Sequence, residues 1–353
     1  MAVGLDQRFE QATPDLQEWE NLRREHHWSG LLVGNGASRA VWNEFAYASL
    51  YATARDLAEG GLSTADRELF ARLDTRNFES VLSALRTTSL VNEALNLPTE
   101  VIRERYMSIR RALANAVRTV HIPWPRVRDA SLQVIRTTLL SYEWVFSTNY
   151  DLLLYWAVMS GLPDPPDIKD FFWRRCADGE DQPWLCFVPS DVEVSGMVTK
   201  VVYLHGGLHL YELSPSQAAK RVAGARNLLD VFYELAEDHT AAIPLFVAEG
   251  HAIDKMKAIG ESPYLSFAYD RLVAHRQPLV IFGHSLGSND QHIVDAVDGH
   301  HHLAISIRRM DEDRIRSEKA RYMQMFPGAN IAFFDAASHP LGSPAVNMSG
   351  TAA

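Results

Sequence analysis

Seven short and mostly unbroken apolar runs, separated by longer helical patterns, constrain the fold of this 353-residue chain most strongly. Such runs are typical of parallel strands that are covered on both faces, and strand–helix alternation is typical of doubly wound proteins. We therefore predict an α/β fold with a Rossmann-like, doubly wound and mostly parallel sheet. The predicted strands are 30–34, 144–148, 201–205, 244–249, 278–283, 303–307 and 330–334.

The uneven spacing of these runs predicts two insertions into a main domain over 28–340. Residues 41–141 have an almost purely helical pattern, which indicates a large helical insertion, and 160–200 are rich in Pro, Asp and Trp, which indicates an irregular one. We expect an N-terminal helical segment over 1–27 and a flexible tail over 341–353. Helices are predicted over 39–57, 77–95, 126–141, 151–159, 264–276, 288–297 and 311–325.

The composition excludes several classes of protein. Thirty-four basic and 44 acidic residues give a net charge of −10, which disfavours direct binding to nucleic acid. Two cysteines, Cys176 and Cys186, are too few for a four-thiolate zinc site or a disulfide framework, and such low usage suits the reducing cytoplasm. With neither a signal peptide nor a membrane-length apolar run in view, we expect a cytoplasmic protein without a membrane span.

Polar motifs follow four of the predicted strands. The first motif, Gly34-Asn35-Gly36-Ala37-Ser38, joins a strand to a helix. Gly36 allows a close approach of the backbone to a ligand, Ser38 can cap the helix, and the helix N-terminus attracts a phosphate. The third glycine of the dinucleotide fingerprint is missing, because Arg39 follows Ser38. A plain tight turn is the competing interpretation.

The second and third motifs place polar side chains where ligands bind in open α/β sheets, outside the carboxyl ends of the strands. Thr148-Asn149-Tyr150-Asp151 follows the second strand, and either Asn149 or Asp151 can instead be a helix cap. His205 ends the third strand before Gly206-Gly207. It is suited to be a base or a hydrogen-bond partner near neutral pH, or it is a structural histidine.

The fourth motif, Gly283-His284-Ser285-Leu286-Gly287, matches the nucleophile elbow of serine hydrolases. A hydrolase would use Ser285 as nucleophile, Asp335 and His339 as acid and base, and His205-Gly206-Gly207 as the oxyanion loop. Only four residues separate the acid from the base, and a soft loop follows Ser285 where an elbow would enter a helix directly. This interpretation also leaves the first two motifs without a role, so we disfavour it.

Taken together, the four motifs resemble the sirtuin-like family of NAD-consuming proteins. The resemblance implies that Gly34–Ser38 bind the NAD phosphates, that Asn149 lies beside the nicotinamide ribose, and that His205 is catalytic. It also implies that the segment from Gly283 packs near the adenosine. The catalytic residues are then Asn149 and His205, and the NAD-binding residues are Gly34, Asn35, Gly36, Ala37, Ser38, Thr148, Asp151, Gly283, His284, Ser285 and Asp290. For Asp290 we favour a helix cap over a hydrogen bond to the ribose.

Departures from the sirtuin pattern narrow the resemblance. The chain cannot form the four-cysteine zinc ribbon of sirtuin deacetylases, so we expect neither zinc nor another metal. The Thr148–Asp151 motif and the Asp290–Ile293 ending are closer to bacterial sirtuin-like proteins of antiphage defence. That resemblance implies an NAD+ glycohydrolase of abortive infection, with NAD+ as substrate, that forms homo-oligomers and acts beside a partner such as a HerA-type ATPase or an Argonaute.

Two other function classes stay open at this stage. The chain could sense NAD or ADP-ribose without cleaving it, or it could be the serine hydrolase described above. His300-His301-His302 is a further metal candidate, but its position just before a strand favours a polar turn.

Overall fold

A computed structural model describes residues 13–46, 49–161, 167–176, 184–190, 198–214, 216–222, 227–237, 242–247 and 252–349. The strands are β1 (Gly30–Val33), β2 (Trp144–Ser147), β3 (Ile168–Lys169), β4 (Phe172–Arg175), β5 (Trp184–Phe187), β6 (Thr199–Tyr203), β7 (Gly206–Ser214), β8 (Gln217–Arg221), β9 (Ile243–Phe246), β10 (Leu279–Phe282), β11 (His302–Ile307) and β12 (Asn330–Asp335). The α-helices are α1 (Trp19–Glu25), α2 (Asn35–Val41), α3 (Leu50–Asp56), α4 (Thr64–Arg72), α5 (Phe78–Ala94), α6 (Glu100–Val120), α7 (Asp129–Leu139), α8 (Leu153–Met159), α9 (Leu228–Glu237), α10 (Ala252–Glu261), α11 (Pro263–Ala274), α12 (Gln291–Val297) and α13 (Glu312–Met325).

The main sheet has seven parallel strands in the order β12-β11-β10-β1-β2-β6-β3. From β1 the chain forms β2, β3 and β6 on one side, where β6 lies between β2 and the edge strand β3, and it then resumes at β10 on the other side of β1. This reversal defines the topological switch point of a Rossmann-like fold. The central strands β1 and β10 are buried along their whole length, which explains their unbroken apolar sequences. The predicted fold class is therefore confirmed.

A second sheet, which the sequence did not predict, has five antiparallel strands in the order β4-β5-β8-β7-β9. The run 244–249 was expected in the parallel sheet, but β9 pairs with β7 in this second sheet. An apolar run reports burial and does not identify the partner strand. The described parts of 160–200, expected to be irregular, contain β3, β4 and β5. A disulfide joins Cys176 to Cys186 here, a single bond rather than a framework.

The stretch between β1 and β2 contains no strand over residues 49–143 and forms five helices, α3 to α7, as the pattern of 41–141 indicated. The predicted helix over 39–57 is in fact two, because α2 ends at Val41 and α3 begins at Leu50. Ser49 caps α3 by accepting a hydrogen bond from the Ala52 N–H. The longest helix, α6, buries one side in the main core, including Ile109, Leu113 and Val117.

Both ends of the described chain pack onto the main domain. Helix α1 lies within the predicted N-terminal helical segment, and residues 1–12 of that segment are outside the described residues. The tail over 341–353 was expected to be flexible. The structure describes it as far as residue 349, and in this part Leu341, Val346 and Met348 are buried. The Met348 N–H donates to Val41 O at 2.7 Å. Small and polar residues suggested disorder, whereas three apolar anchors and this hydrogen bond hold the segment.

In the part of the chain that the structure describes, no helix combines the length and the apolar character that crossing a membrane requires.

Candidate functional site

Strand register brings the four polar motifs to one edge of the main sheet. Val33 of β1 is aligned with Phe282 of β10 and with Ser147 of β2, and Ser147 is aligned with Tyr203 of β6. The residues that follow these strands therefore emerge at the same level. This edge is formed by the carboxyl ends of the strands beside the switch point, where α/β proteins bind their ligands.

A cavity of about 360 Å³ lies at this edge, within the range of small-molecule sites. Two larger cavities lie elsewhere, one along α1 and α7 and one along α5 and α6, and neither contains a motif residue. The predicted site residues on the wall of the 360 Å³ cavity are Asn35, Gly36, Thr148, Asn149, Asp151, His205, Gly283, His284, Ser285 and Asp290. The structure therefore brings Asn149 and His205 together, while Gly34, Ala37 and Ser38 lie behind the wall.

The glycine turn packs against the end of β10. The Gly36 N–H donates to Gly283 O at 2.8 Å, and a Cβ at residue 36 would lie 2.6 Å from the Gly283 Cα. Gly283 itself has φ of +67°, and a Cβ there would lie 2.7 Å from the Ala37 nitrogen. The missing Cβ at Gly36 thus permits close packing against Gly283, and the Gly36 N–H is already used within the protein.

A buried hydrogen-bond network orients Asn149. Its Nδ2 donates to Gly34 O at 3.1 Å and to Ser38 Oγ at 2.9 Å, and Ser38 Oγ donates to Asp151 Oδ2 at 2.5 Å. Both amide protons are therefore used by the protein, which leaves Oδ1 as the acceptor of the amide. Ser38, expected at the phosphates, is only 1% exposed and instead positions Asn149 and Asp151. Burial raises the pKa of Asp151, and its hydrogen bonds to Ser38 and Leu153 partly offset this.

Asp151 and His121 hold the loop that carries Asn149. Asp151 Oδ1 accepts from the Leu153 N–H at 2.9 Å and so satisfies the first N–H of α8, although the N-cap residue of this helix is Leu152. His121, at the end of α6, accepts from the Leu152 N–H at 3.1 Å through Nε2. Burial lowers the pKa of His121 to about 4, so the ring is neutral and accepts through one nitrogen. No sequence pattern indicated His121, because its partner Leu152 is distant in the chain.

His205 lies at the junction of the two sheets. Gly206 has φ of +71° and begins β7, so the chain turns out of the parallel sheet immediately after the histidine. The His205 Nε2 lies 2.8 Å from the Nε2 of His292, at the start of α12. Burial, reinforced by the nearby Lys255 ammonium, holds the pKa of His205 well below its ordinary value. Burial likewise lowers the pKa of His292 to about 4, so both rings are neutral near neutral pH and share one proton.

Asp290 faces the cavity rather than capping a helix. It precedes α12, but its side chain makes no capping hydrogen bond, so the preferred interpretation of this residue was wrong. Instead Asp290 Oδ1 accepts from Lys255 Nζ at 2.7 Å. Burial alone would raise the pKa of Asp290, but the charge and hydrogen bond of Lys255, together with the nearby His205 and His284, outweigh burial and lower the pKa. His284 Nε2 is 3.8 Å from Asp290 Oδ2, and burial lowers the pKa of His284, so this pair is not ionic.

Two cations on the cavity wall, Lys255 and Arg39, were not predicted from the sequence as groups that could bind a ligand. Lys255 is 6% exposed on α10, whereas Ile253 on the same helix is 81% exposed. The usual rule that apolar residues are buried and lysines exposed therefore gives the wrong face. Arg39 was considered only as the residue in place of a third glycine. It is exposed on α2 at the cavity, and within the described ranges it has no ion-pair partner.

One family model matches most of this chain. It is described as "Domain of unknown function (DUF4917)", and it matches residues 31–341. The chain belongs to this family. No curated protein matches the chain.

The region that matches the DUF4917 family includes every motif residue and both cations, but it also includes the residues of the alternative serine hydrolase. Those residues do not form a triad. His339 accepts from the Leu341 N–H through Nδ1 and faces the Tyr142 hydroxyl through Nε2. Asp335 pairs with Arg309 and caps the Ala337 N–H. Neither nitrogen of His339 faces Ser285, and α12 begins at Gln291, well after the serine.

Proposed function

We propose that this protein is an NAD+ hydrolase that cleaves the bond between nicotinamide and ribose. One observation carries the proposal, namely that the glycine turn, Asn149, His205 and the Gly283–Ser285 segment meet at one cavity. These are the four motifs in which the sequence resembles sirtuin-like NAD-consuming proteins. The cavity also lies at the switch point of a Rossmann-like sheet, where dinucleotides bind in this architecture.

The charges on the cavity wall suit a dinucleotide with a diphosphate. Arg39 is an exposed cation on the wall and is free to pair with a phosphate as a planar, bidentate donor. Because the Gly36 N–H and the Ser38 hydroxyl are used within the protein, the diphosphate depends mainly on Arg39. Lys255 adds positive charge, while Asp290 offers a carboxylate oxygen to a ribose hydroxyl.

The reaction that we propose requires few catalytic groups from the protein. Nicotinamide departs as a neutral molecule from a cationic precursor, so its departure requires no general acid, and the ribose develops oxocarbenium character. Asn149 Oδ1 is held by the Ser38 and Gly34 contacts, where it can accept from a ribose hydroxyl or from the attacking water. His205 is neutral and accepts a proton from that hydroxyl or water.

A second candidate function is the binding of NAD or ADP-ribose without cleavage. It is favoured by the His205–His292 contact, because the Nε2 of His205 is already engaged and its low pKa makes it a weak base. A sensor would need the same cavity and the same cations without requiring an active base.

An incubation with NAD+ separates the two functions. The purified chain is incubated with NAD+, and nicotinamide, ADP-ribose and cyclic ADP-ribose are resolved by chromatography. We expect nicotinamide to accumulate with the wild type and not with His205→Ala. Measurable binding of NAD+ without any product over a long incubation would favour the sensor. Absence of both binding and product would refute both proposals.

We also propose a biological role, which rests only on the resemblance to bacterial sirtuin-like defence proteins. An NAD+ hydrolase of this kind would act in the cytoplasm as an antiphage effector of abortive infection. It would assemble as a homo-oligomer and respond to a partner such as a HerA-type ATPase. Co-expression with its neighbouring genes during phage challenge tests this extension, and survival that is unaffected by Asn149→Ala would contradict it.

A further inference from the structure

Three candidate metal ligands meet at the back of the cavity. His205 follows β6, and Asp290 and His292 lie at the start of α12. The two Nε2 atoms are 2.8 Å apart, and one ligand atom from each of the three residues lies within 4.8 Å of the others. Eighty-seven residues separate the two histidines, so no spacing in the sequence indicated this cluster.

The contact between the two imidazoles fits a shared ion. Two nitrogens bound at about 2.0–2.1 Å to one zinc ion lie roughly 2.9–3.4 Å apart at octahedral or tetrahedral angles. The observed separation of 2.8 Å is close to that range. His292 is 2% exposed, and in the described part of the chain its Nδ1 has no hydrogen-bond partner. Its ring is therefore oriented mainly by the contact with His205.

The ligand set selects the class of ion. Two imidazole nitrogens and one carboxylate oxygen favour zinc and neighbouring first-row transition metals over Mg²⁺ or Ca²⁺, which prefer oxygen ligands. Lys255 donates to Asp290 Oδ1, so its ammonium competes with a metal ion for that oxygen. The ammonium also repels a dication, so it limits the affinity of the site.

We propose that His205, Asp290 and His292 bind one divalent transition-metal ion, and that the bound ion switches the cavity off. The ion takes the Nε2 lone pair of His205 and leaves the one proton of the neutral ring on Nδ1, so neither nitrogen of His205 can accept a proton in the proposed hydrolysis. Binding itself does not depend on that function, whereas the off-switch rests on it. Such a switch would keep the hydrolase inactive until the metal is removed.

Titration of Zn²⁺ into chelator-treated, full-length protein tests the site by calorimetry. We expect one equivalent to bind to the wild type, and His292→Ala and Asp290→Asn to weaken binding by at least about tenfold. His301→Ala is the matched control, because His301 is exposed just before β11, and this variant should bind Zn²⁺ like the wild type. Unchanged binding in His292→Ala, or lost binding in His301→Ala, would overturn the site.

Lys255→Met provides an arm that does not remove a ligand. Loss of the ammonium should tighten Zn²⁺ binding several-fold, whereas equal or weaker binding would contradict the cluster even if His292→Ala fails to fold.

For the switch, we expect one equivalent of Zn²⁺ to stop nicotinamide release and a chelator to restore it. Binding without inhibition would refute the switch. No turnover by the metal-free protein would refute the proposed hydrolase and leave the calorimetric result intact.

Discussion

The proposed chemistry depends most on Asn149. Its Nδ2 donates to Gly34 O and Ser38 Oγ, and these two hydrogen bonds hold the amide in one orientation. Asn149→Ala removes the acceptor that would face the ribose, and we expect NAD+ turnover to fall by at least about 100-fold. Stability should fall by only about 1–2 kcal/mol, because the hydrogen bonds that are lost are few. Asn115→Ala removes an amide hydrogen bond of the same kind at an exposed position away from the site, from Nδ2 to Gly60 O, and should leave turnover unchanged. Turnover that survives in Asn149→Ala would refute the role of this residue.

Ser38 acts on the site through Asn149 and not through the ligand. Ser38→Ala removes an acceptor from Asn149 and a donor from the buried Asp151. We expect kcat to fall roughly tenfold with little change in KM, because the amide loses its fixed orientation. Ser131→Ala is the matched control, since Ser131 is equally buried and donates to Ala345 O away from the site. A similar fall in kcat in both variants would indicate a merely structural effect.

Among the residues of the site, those next to strand ends were predicted from the sequence, and those contributed by distant helices were not. Asn149 and His205 were predictable because register aligns the ends of neighbouring parallel strands. Lys255 and His121 come from helices outside the motifs, and their partners are set by tertiary packing. The cap assigned to Asp290 failed because a buried ammonium competes for the carboxylate.

At the scale of elements, the contact between the glycine turn and the end of β10 holds the first motif in place. A Cβ at residue 36 would meet backbone at 2.6 Å, and backbone cannot move aside as a flexible side chain can. We expect Gly36→Ala to destabilise the protein by about 1–3 kcal/mol or more and to weaken NAD+ binding, as measured by denaturation and calorimetry.

Gly260→Ala is the control for the Gly36 variant. Gly260 is in helix α10, and a Cβ there meets nothing within 4 Å. This substitution should stabilise the protein by about 0.5–1 kcal/mol through helix propensity and leave binding unchanged. If Gly36→Ala proves as stable as Gly260→Ala, the packing of the turn against Gly283 is not as described.

Apolar patterns predicted the existence of the strands better than their pairing. Each predicted strand is present at least in part, because a short apolar run between turn signals is typical of a buried strand in an α/β protein. The sheet to which a run belongs depends on non-local pairing, so β9 was assigned to the wrong sheet. The flexible tail was wrongly predicted over residues 341–349 for a related reason, since Leu341, Val346 and Met348 are too far apart to form a pattern.

At the scale of the whole molecule, buried neutral histidines predict sensitivity to acid. Burial lowers the pKa of His121 to about 4 and of His339 to about 3, from an ordinary value of 6.5. Below pH 6.5 the unfolded chain takes up protons that the folded protein refuses. Stability is therefore complete above pH 6.5 and falls as the pH decreases, by up to about 1.4 kcal/mol per pH unit for each histidine. The raised pKa of Asp151 has the opposite sign and opposes part of this trend at lower pH.

Urea denaturation between pH 8 and pH 5 measures this dependence. We expect a flat profile above pH 7 and a steep loss below pH 6.5. His121→Gln should lower stability at pH 8 and also reduce the slope by about one proton. The exposed His301→Gln should change neither quantity. A wild-type profile that stays flat to pH 5 would mean that these rings are protonated in the folded protein.

We propose that the ribose that carries nicotinamide lies between Asn149 and His205, and that the diphosphate of the ligand pairs with Arg39. A crystal structure of the protein with ADP-ribose, the expected product, would reveal this arrangement. We predict density for ADP-ribose in this cavity, with the ribose that carried nicotinamide within hydrogen-bond distance of both side chains. ADP-ribose bound in either of the larger cavities, or in this one with that ribose away from both residues, would refute the roles proposed for Asn149 and His205.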